Sequence, residues 1–273
     1  VFYKEDGSAD TYFIPAELPV HTFIDTQIIA ESPDEYFWAG IGDAFSKGPE
    51  VELSSREVEL LHSPLMGRAL AAGACIEPLF DNAEQALADK RAGIVSEAFE
   101  NVVLNIIITA GVVSNMTTNI GAERGAYYFN SSTAHAFYNA FTALGERVEK
   151  HLHGEVVSFG TCVLYAFDGN LKALEDQVAL NRKLGLPTTL ADLDITPESV
   201  DADLDIIVER AQKTNEWGRA PYGFTPDRFR QAILDTDAYG RAVASGEKDQ
   251  ETAALDVIAA HAPSAETAVP RKM

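Results

Sequence analysis

The hydrophobic periodicity of this chain changes once, near residue 28, and that change constrains the fold more than any other feature. Before it, VFYKEDGSADTYFI alternates apolar and polar residues around Asp6-Gly7, a hairpin turn signal, and VHTFIDT reads as a further apolar strand. After it, apolar residues recur at helical spacing over residues 33–47, 55–73, 95–116, 131–144, 154–167, 171–184, 202–212 and 225–244. GLPTTLADLDITPES is a connecting loop with a short helix. The expectation is a mainly α fold in which 1–27 are the last strands of a sheet and 28–245 form a helical body. Residues 246–273 are rich in small and charged side chains, with little apolar patterning beyond ALDVIAA, and are expected as an acidic mobile tail or a loosely docked helix. His261 lies in that tail and is assigned no chemistry.

Composition narrows the function classes. A length of 273 residues with 46% hydrophobic side chains is ample for a buried core. The formal net charge of -21 opposes binding to nucleic acid or to an anionic membrane surface, and no basic patch offsets it. The most apolar run, VVLNIIITAGVV at 102–113, falls short of the roughly 20 residues of a membrane span and reads as a core helix. Cys75 and Cys162 stand in apolar surroundings without a C-x-x-C partner, as buried thiols of a reducing, cytoplasmic compartment would. A chain that opens on Val1 rather than methionine, directly in a strand-like segment, leads us to expect a preceding portion.

Three of the six histidines fall in AHAFYNAFTALGERVEKHLHGEVVSFG, residues 134–160. In one continuous helix His135 and His153 would stand about 27 Å apart, so they can share a ligand only if the chain turns back. Gly145 permits that turn, because glycine readily ends a helix. Two imidazoles brought together suggest a metal and require a third ligand, for which Asp43 in the small, apolar AGIGDAFSK is the best candidate. Two histidines and one carboxylate suit zinc and leave a coordination position open. Plainer alternatives stand beside this reading. Asp43 can pair with Lys47 at i+4 on a helix surface, and either histidine can simply bond a backbone carbonyl. His151 competes with His153, although Glu146 and Glu149 explain a histidine there by charge alone. Tyr138, Asn139 and Thr142 follow His135 at i+3, i+4 and i+7, a polar stripe that lines a pocket for a hydroxylated substrate or makes ordinary interhelical hydrogen bonds. GIG at 40–42 is no phosphate loop, and no G-x-G-x-x-G, P-loop lysine, Ser-His-Asp order or H-E-x-x-H occurs, so catalytic and nucleotide-binding residues stay unassigned.

At these residues the sequence resembles the glycerol dehydrogenase branch of the metal-dependent (iron/zinc) alcohol dehydrogenases, which share a dehydroquinate-synthase-like fold. AGIGDAFSK resembles the segment that carries the family's aspartate ligand, and AHAFYNAFTALGERVEKHLHG its two-histidine segment; LGLPTTLADL resembles a loop of many members. The resemblance runs from Val1 to about Ala244 and implies metal roles for Asp43, His135 and His153. It implies a helical C-terminal domain holding zinc, or iron in other branches, and residues 1–27 as a short β remnant of a Rossmann-like domain. NAD then needs that upstream domain or a separate nucleotide-binding piece. Lys47 stands where the iron branch has a second histidine, which favours zinc, and Tyr138 where glycerol dehydrogenases often carry another histidine. Tyr127, Tyr128 and Phe129 replace small residues and reshape the pocket, which makes Phe129 a pocket candidate with Tyr138 and Asn139. The implied activity is oxidation of glycerol or a similar polyol, with a hydroxycarboxylate as the alternative substrate, in a homo-oligomer. The remaining alternative is a non-catalytic paralogue that serves as a structural or oligomerisation module.

Overall fold

The protein's computed structural model describes residues 2–3, 9–10, 19–119 and 126–263, and the fold is mainly α. Thirteen α-helices account for most of it among the described residues. The first seven are α1 (Thr26–Glu31), α2 (Asp34–Ala44), α3 (Lys47–Ser55), α4 (His62–Ala72), α5 (Glu77–Arg91), α6 (Glu97–Leu104) and α7 (Ala110–Thr117). They are followed by α8 (Thr133–Phe141), α9 (His153–Asp168), α10 (Leu171–Leu184), α11 (Val200–Ala211), α12 (Pro226–Ser245) and α13 (Lys248–His261). Two antiparallel pairs of two-residue strands complete it: β1 (Phe2–Tyr3) with β2 (Ala9–Asp10), and β3 (Thr118–Asn119) with β4 (Tyr127–Tyr128).

The architecture follows from α9. Its sequence, HGEVVSFGTCVLYAFD, is apolar on every face after the first turn, and every residue from Val156 to Phe167 is buried. Such a helix has no side to offer water, so neighbours must surround it, and α2, α3, α8, α10, α12 and α13 all pack on it. Phe137, Phe141, Phe159 and Phe167 centre one core, shared with α11 and α12 through Leu204, Ile207, Phe229 and Ile233. A second core joins α2, α5 and α6 through Phe37, Phe45, Leu79 and Phe99. The two cores meet where α2 crosses α9 backbone to backbone. A Cβ on Gly154 would lie 1.9 Å from the Ala39 carbonyl oxygen, and one on Gly42 would lie 2.5 Å from that of Gly154.

Several sequence expectations need correction. The helix expected over 55–73 starts late: the chain leaves helical geometry at Arg56, Glu57 takes a positive φ of 59°, and α4 starts only at His62, while α3 occupies a stretch before it that was not expected to be helical. At the end of α3 the Arg56 guanidinium is tied to Asp168 at 2.7 and 2.9 Å as well as to Glu52. Helix α5 was not expected, although Pro78 in its first turn, apolar Leu79, Ala83, Ala86 and Leu87, and Lys90-Arg91 at its end are readable signals. VHTFIDT is not a strand: residues 21–25 are irregular, and Asp25 caps α1 by accepting from the Gln27 amide at 3.0 Å. The apolar run at 102–113 is a core helix on one side only, with Val102, Val103 and Val113 buried. A π-helical stretch, Asn105–Thr109, fuses α6 and α7 into one helical run, Glu97–Thr117, which by length and composition alone is able to cross a membrane. Only 28% of its most apolar window is buried, and Leu104 and Ile107 face outward. Finally, of the two alternatives for the C-terminal segment it is the docked helix that forms over residues 248–261: α13 packs on α12 with Ile258 fully buried and His261 Nδ1 2.7 Å from Asp235. The cysteines are buried free thiols, and burial pushes Cys75 up to about 11.

Between α8 and α9 the chain reverses through a 3-10 turn, Gly145–Lys150, which Gly145 opens at φ 65°. Arg147 anchors this turn to α11 through a two-pronged ion pair with the buried Asp203. That hydrogen bond holds the Asp203 carboxyl below its ordinary range against the opposing effect of burial. A carboxyl lowered in the folded state contributes stability that is complete above its unfolded value, near pH 4, and lost as pH falls through the folded one. Asp203→Asn should therefore cost about 1–3 kcal/mol in urea denaturation at pH 7, a penalty that shrinks below about pH 4. Gly154→Ala should cost at least the ~3 kcal/mol at the top of the usual overpacking range, because backbone rather than a flexible side chain stands in the way. Denaturation midpoints of both variants check these values.

Candidate metal centre

Asp43 leaves the last turn of α2 at the glycine crossing, one residue after Gly42, while His153 is the first residue of α9 and immediately precedes Gly154. The absence of two Cβ atoms therefore sets how close these two ligand candidates come. His153 is fixed further by the start of its helix, where the Glu155 carboxylate accepts from the Leu152 amide at 3.0 Å. His135 lies in the first turn of α8 and reaches the same point because the Gly145 turn folds α8 back along α9.

The three side chains converge. His153 Nε2 lies 3.3 Å and His135 Nε2 3.5 Å from Asp43 Oδ1, and all three donor atoms fall within 4.8 Å of one another. Among the described residues this is the one such cluster of three histidine, cysteine or acidic donors. The spacing is longer than the 2.7–2.9 Å of a charge-assisted hydrogen bond, roughly. It matches donors placed at about 2.0–2.2 Å around a tetrahedral ion, whose mutual separations are roughly 3.3–3.6 Å. Two imidazoles and a carboxylate are also the donor types that zinc accepts, so the residues present fit a metal ion. Side-chain exposure rises from 17% at His135 through 34% at His153 to 45% at Asp43, so the cluster is open on the Asp43 side.

Electrostatics hold the set together. Burial pushes the Asp43 carboxyl up, but the hydrogen bond and charge of His153, and then the charges of His135 and Lys47, outweigh it and hold the carboxyl well below its usual range. For His135 burial works against the charged ring, yet the neighbouring Glu50 and Asp43 carboxylates raise it to about 8. The i+4 pair between Asp43 and Lys47 does not form: Lys47 Nζ turns to the side-chain and backbone oxygens of Asn130, at 2.7 and 3.2 Å.

His151 points elsewhere. Its Nδ1 is 2.9 Å from Glu155, its Nε2 is 3.7 Å from Asp194, and its ring meets Phe141 edge-on. Of the three pocket candidates, Tyr138 is buried and sets its ring edge against His153, centroids 4.1 Å apart. Asn139 is buried, and its carbonyl accepts from Thr142 within their own helix. Phe129 is buried and stacked on Tyr127.

Sequence reasoning missed Glu50. Fully buried, it accepts from the Ser132 and His135 amides through Oε1 at 2.8 and 2.9 Å, and its Oε2 is 2.6 Å from His135 Nδ1. A signal existed: Glu50 follows Asp43 by seven residues, two helical turns, on the same side of a segment that continues from α2 into α3.

Comparison with known proteins places this geometry. No protein-family model matches the chain. Over 246 residues it is 32% identical to a glycerol dehydrogenase of Escherichia coli O6:H1, covering 88% of this chain and 63% of that protein. It is 28% identical to the hydroxycarboxylate dehydrogenase A of Escherichia coli K12, again over 88% of this chain and 64% of the relative. The crystal structure of the Schizosaccharomyces pombe glycerol dehydrogenase superposes with a TM-score of 0.77 at 28% identity, covering 91% of this chain and 61% of that one. The chain thus spans under two thirds of the length of these relatives. The similarity runs through the helical body that brings Asp43, His135 and His153 together, and over that body the chain is similar in sequence and fold to glycerol dehydrogenases.

Proposed function

We propose that this chain is the metal-binding catalytic part of an NAD-dependent dehydrogenase that oxidises glycerol or a similar polyol. The convergence of Asp43, His135 and His153 carries the reading, and similarity to proteins named glycerol dehydrogenase supports it. These three residues would hold zinc, with iron as the alternative. Bound there, the ion would supply the Lewis-acid polarisation of an alcohol oxygen that hydride transfer to a nicotinamide requires.

The chain's own residues do the rest. Asp43 brings a negative charge that two imidazoles do not, and it stays ionised because both rings face it. Tyr138 packs against the His153 ring and limits its rotation. The exposed Asp43 side leaves a direction from which a small hydroxylated molecule can approach. No glycine-rich turn leads into a helix here, so NAD is assigned to a further domain or to a separate nucleotide-binding piece. The buried free thiols support a cytoplasmic setting, and a homo-oligomer is the assembly we propose. A hydroxycarboxylate is the second substrate reading, favoured by the similarity to hydroxycarboxylate dehydrogenase A. A non-catalytic paralogue would keep the scaffold without turnover.

Elemental analysis after zinc loading and removal of excess metal should find about one zinc per chain. His153→Ala should lower that content to background, since losing one of three protein ligands weakens binding by orders of magnitude. His151→Ala should keep near-stoichiometric zinc while losing about 1 kcal/mol of stability, because its ring packs on Phe141 without facing the cluster. Zinc lost only in the His151 variant would reverse the ligand assignment. In calorimetry the 273-residue chain alone should show no micromolar affinity for NAD, and such binding would remove the need for a further nucleotide-binding part.

A further inference from the structure

We propose that Glu50 is the positioning residue of the metal centre: it selects the tautomer of His135 that leaves Nε2 free to bind a metal, and with its other oxygen it fixes the start of the helix that carries the ring. The inference rests on Asp43, His135 and His153 being the ligands.

The argument begins with hydrogen-bond inventory. An ionised carboxylate only accepts. With Glu50 Oε2 2.6 Å from His135 Nδ1, the neutral ring must carry its proton on Nδ1 and leave a lone pair on Nε2, the atom that faces Asp43 and lies on the side of His153. The opposite tautomer would set a lone pair against the Glu50 carboxylate and aim an N–H at the metal position. Turning the ring over would break the contact at 2.6 Å and place carbon there instead.

The second half concerns α8. A helix start normally draws on a local side chain to satisfy its first amides. Here Ser132 makes no such bond, and the hydroxyls of Ser132 and Thr133 are buried without a hydrogen-bond partner. The local capping groups are therefore idle, and Glu50, distant in sequence, accepts from the amides of Ser132 and His135. One buried side chain thus grips His135 by both its main chain and its ring. Burying a carboxylate is costly unless it is fully bonded, and these three contacts, with the helix N-terminus in front of it, make the arrangement stable in one geometry.

Glu50→Gln separates this role from simple support. Its amide keeps one acceptor for the two backbone amides but turns a donor toward Nδ1, which forces the neutral ring to hold its proton on Nε2. In calorimetric titration with zinc, the full chain carrying Glu50→Gln should bind roughly 10–100-fold more weakly than the unsubstituted protein. Nitrogen-proton correlation spectra of the histidines without metal, recorded at alkaline pH where the ring is neutral, should place the His135 proton on Nδ1 in the unsubstituted chain and on Nε2 in the variant. Unchanged zinc affinity in a folded Glu50→Gln protein overturns the proposal, as does a proton on Nε2 of the unsubstituted chain. If the variant does not fold, the tautomer in the unsubstituted protein decides. If the unsubstituted chain takes up no zinc, the ligand assignment fails, and the tautomer measurement still tests Glu50 by itself.

Discussion

The closest approach of α2 and α9, through Gly42 and Gly154, is the contact on which the rest of this structure depends. Helix axes normally stand 8–10 Å apart, roughly, with side chains between them. Here a Cβ on Gly154 would enter the Ala39 carbonyl at 1.9 Å, so the two backbones touch. The contact does two things at once. It joins the aromatic core around α9 to the one around α2, α5 and α6, and it sets Asp43 and His153 beside each other from residues adjacent to the glycines. The candidate site therefore sits on a seam between two packed bodies, a placement common for sites that take small molecules.

Charge completes what packing begins. Asp43 and Glu50 stand on either side of the His135 ring, at Nε2 and Nδ1 respectively. Fixed in this way, the ring has little freedom to leave the cluster. In a chain whose net charge is already -21, two of its carboxylates set close together are expensive unless something positive answers them. The imidazoles do so in the protein alone, and a divalent cation would do so more fully.

The organisation of the body was legible in the sequence where a helix has a clear apolar pattern and clear ends. α9, α10 and α12 are of this kind: α9 is apolar throughout, and α10 and α12 end at Gly185 and Gly246, both at positive φ. α3 went unread between the expected helices 33–47 and 55–73 because KGPEVELSS carries little apolar patterning, although tertiary packing buries nearly all of it. The stretch before α1 looked like a strand because Val20, Phe23 and Ile24 are apolar and β-prone, yet Val20 and Phe23 are exposed. The extent of the 97–117 run was legible as the helix expected over 95–116; its π-helical segment, whose register shift no periodicity count detects, was not.

For the site, the sequence alone supplied the donors and the need for a turn. Three imidazoles and a well-placed aspartate have the chemistry of a metal site, and Gly145 allows the chain to reverse, because both properties belong to single residues or to near neighbours. Tertiary structure decided which of them meet. It set His151 against Glu155 and His153 toward Asp43, buried Tyr138 beside the ligands, and brought Glu50 beneath His135 from another helix. These outcomes depend on how α2, α3, α8 and α9 pack across long sequence separations, which local spacing hints at for Glu50 and His153 but does not fix.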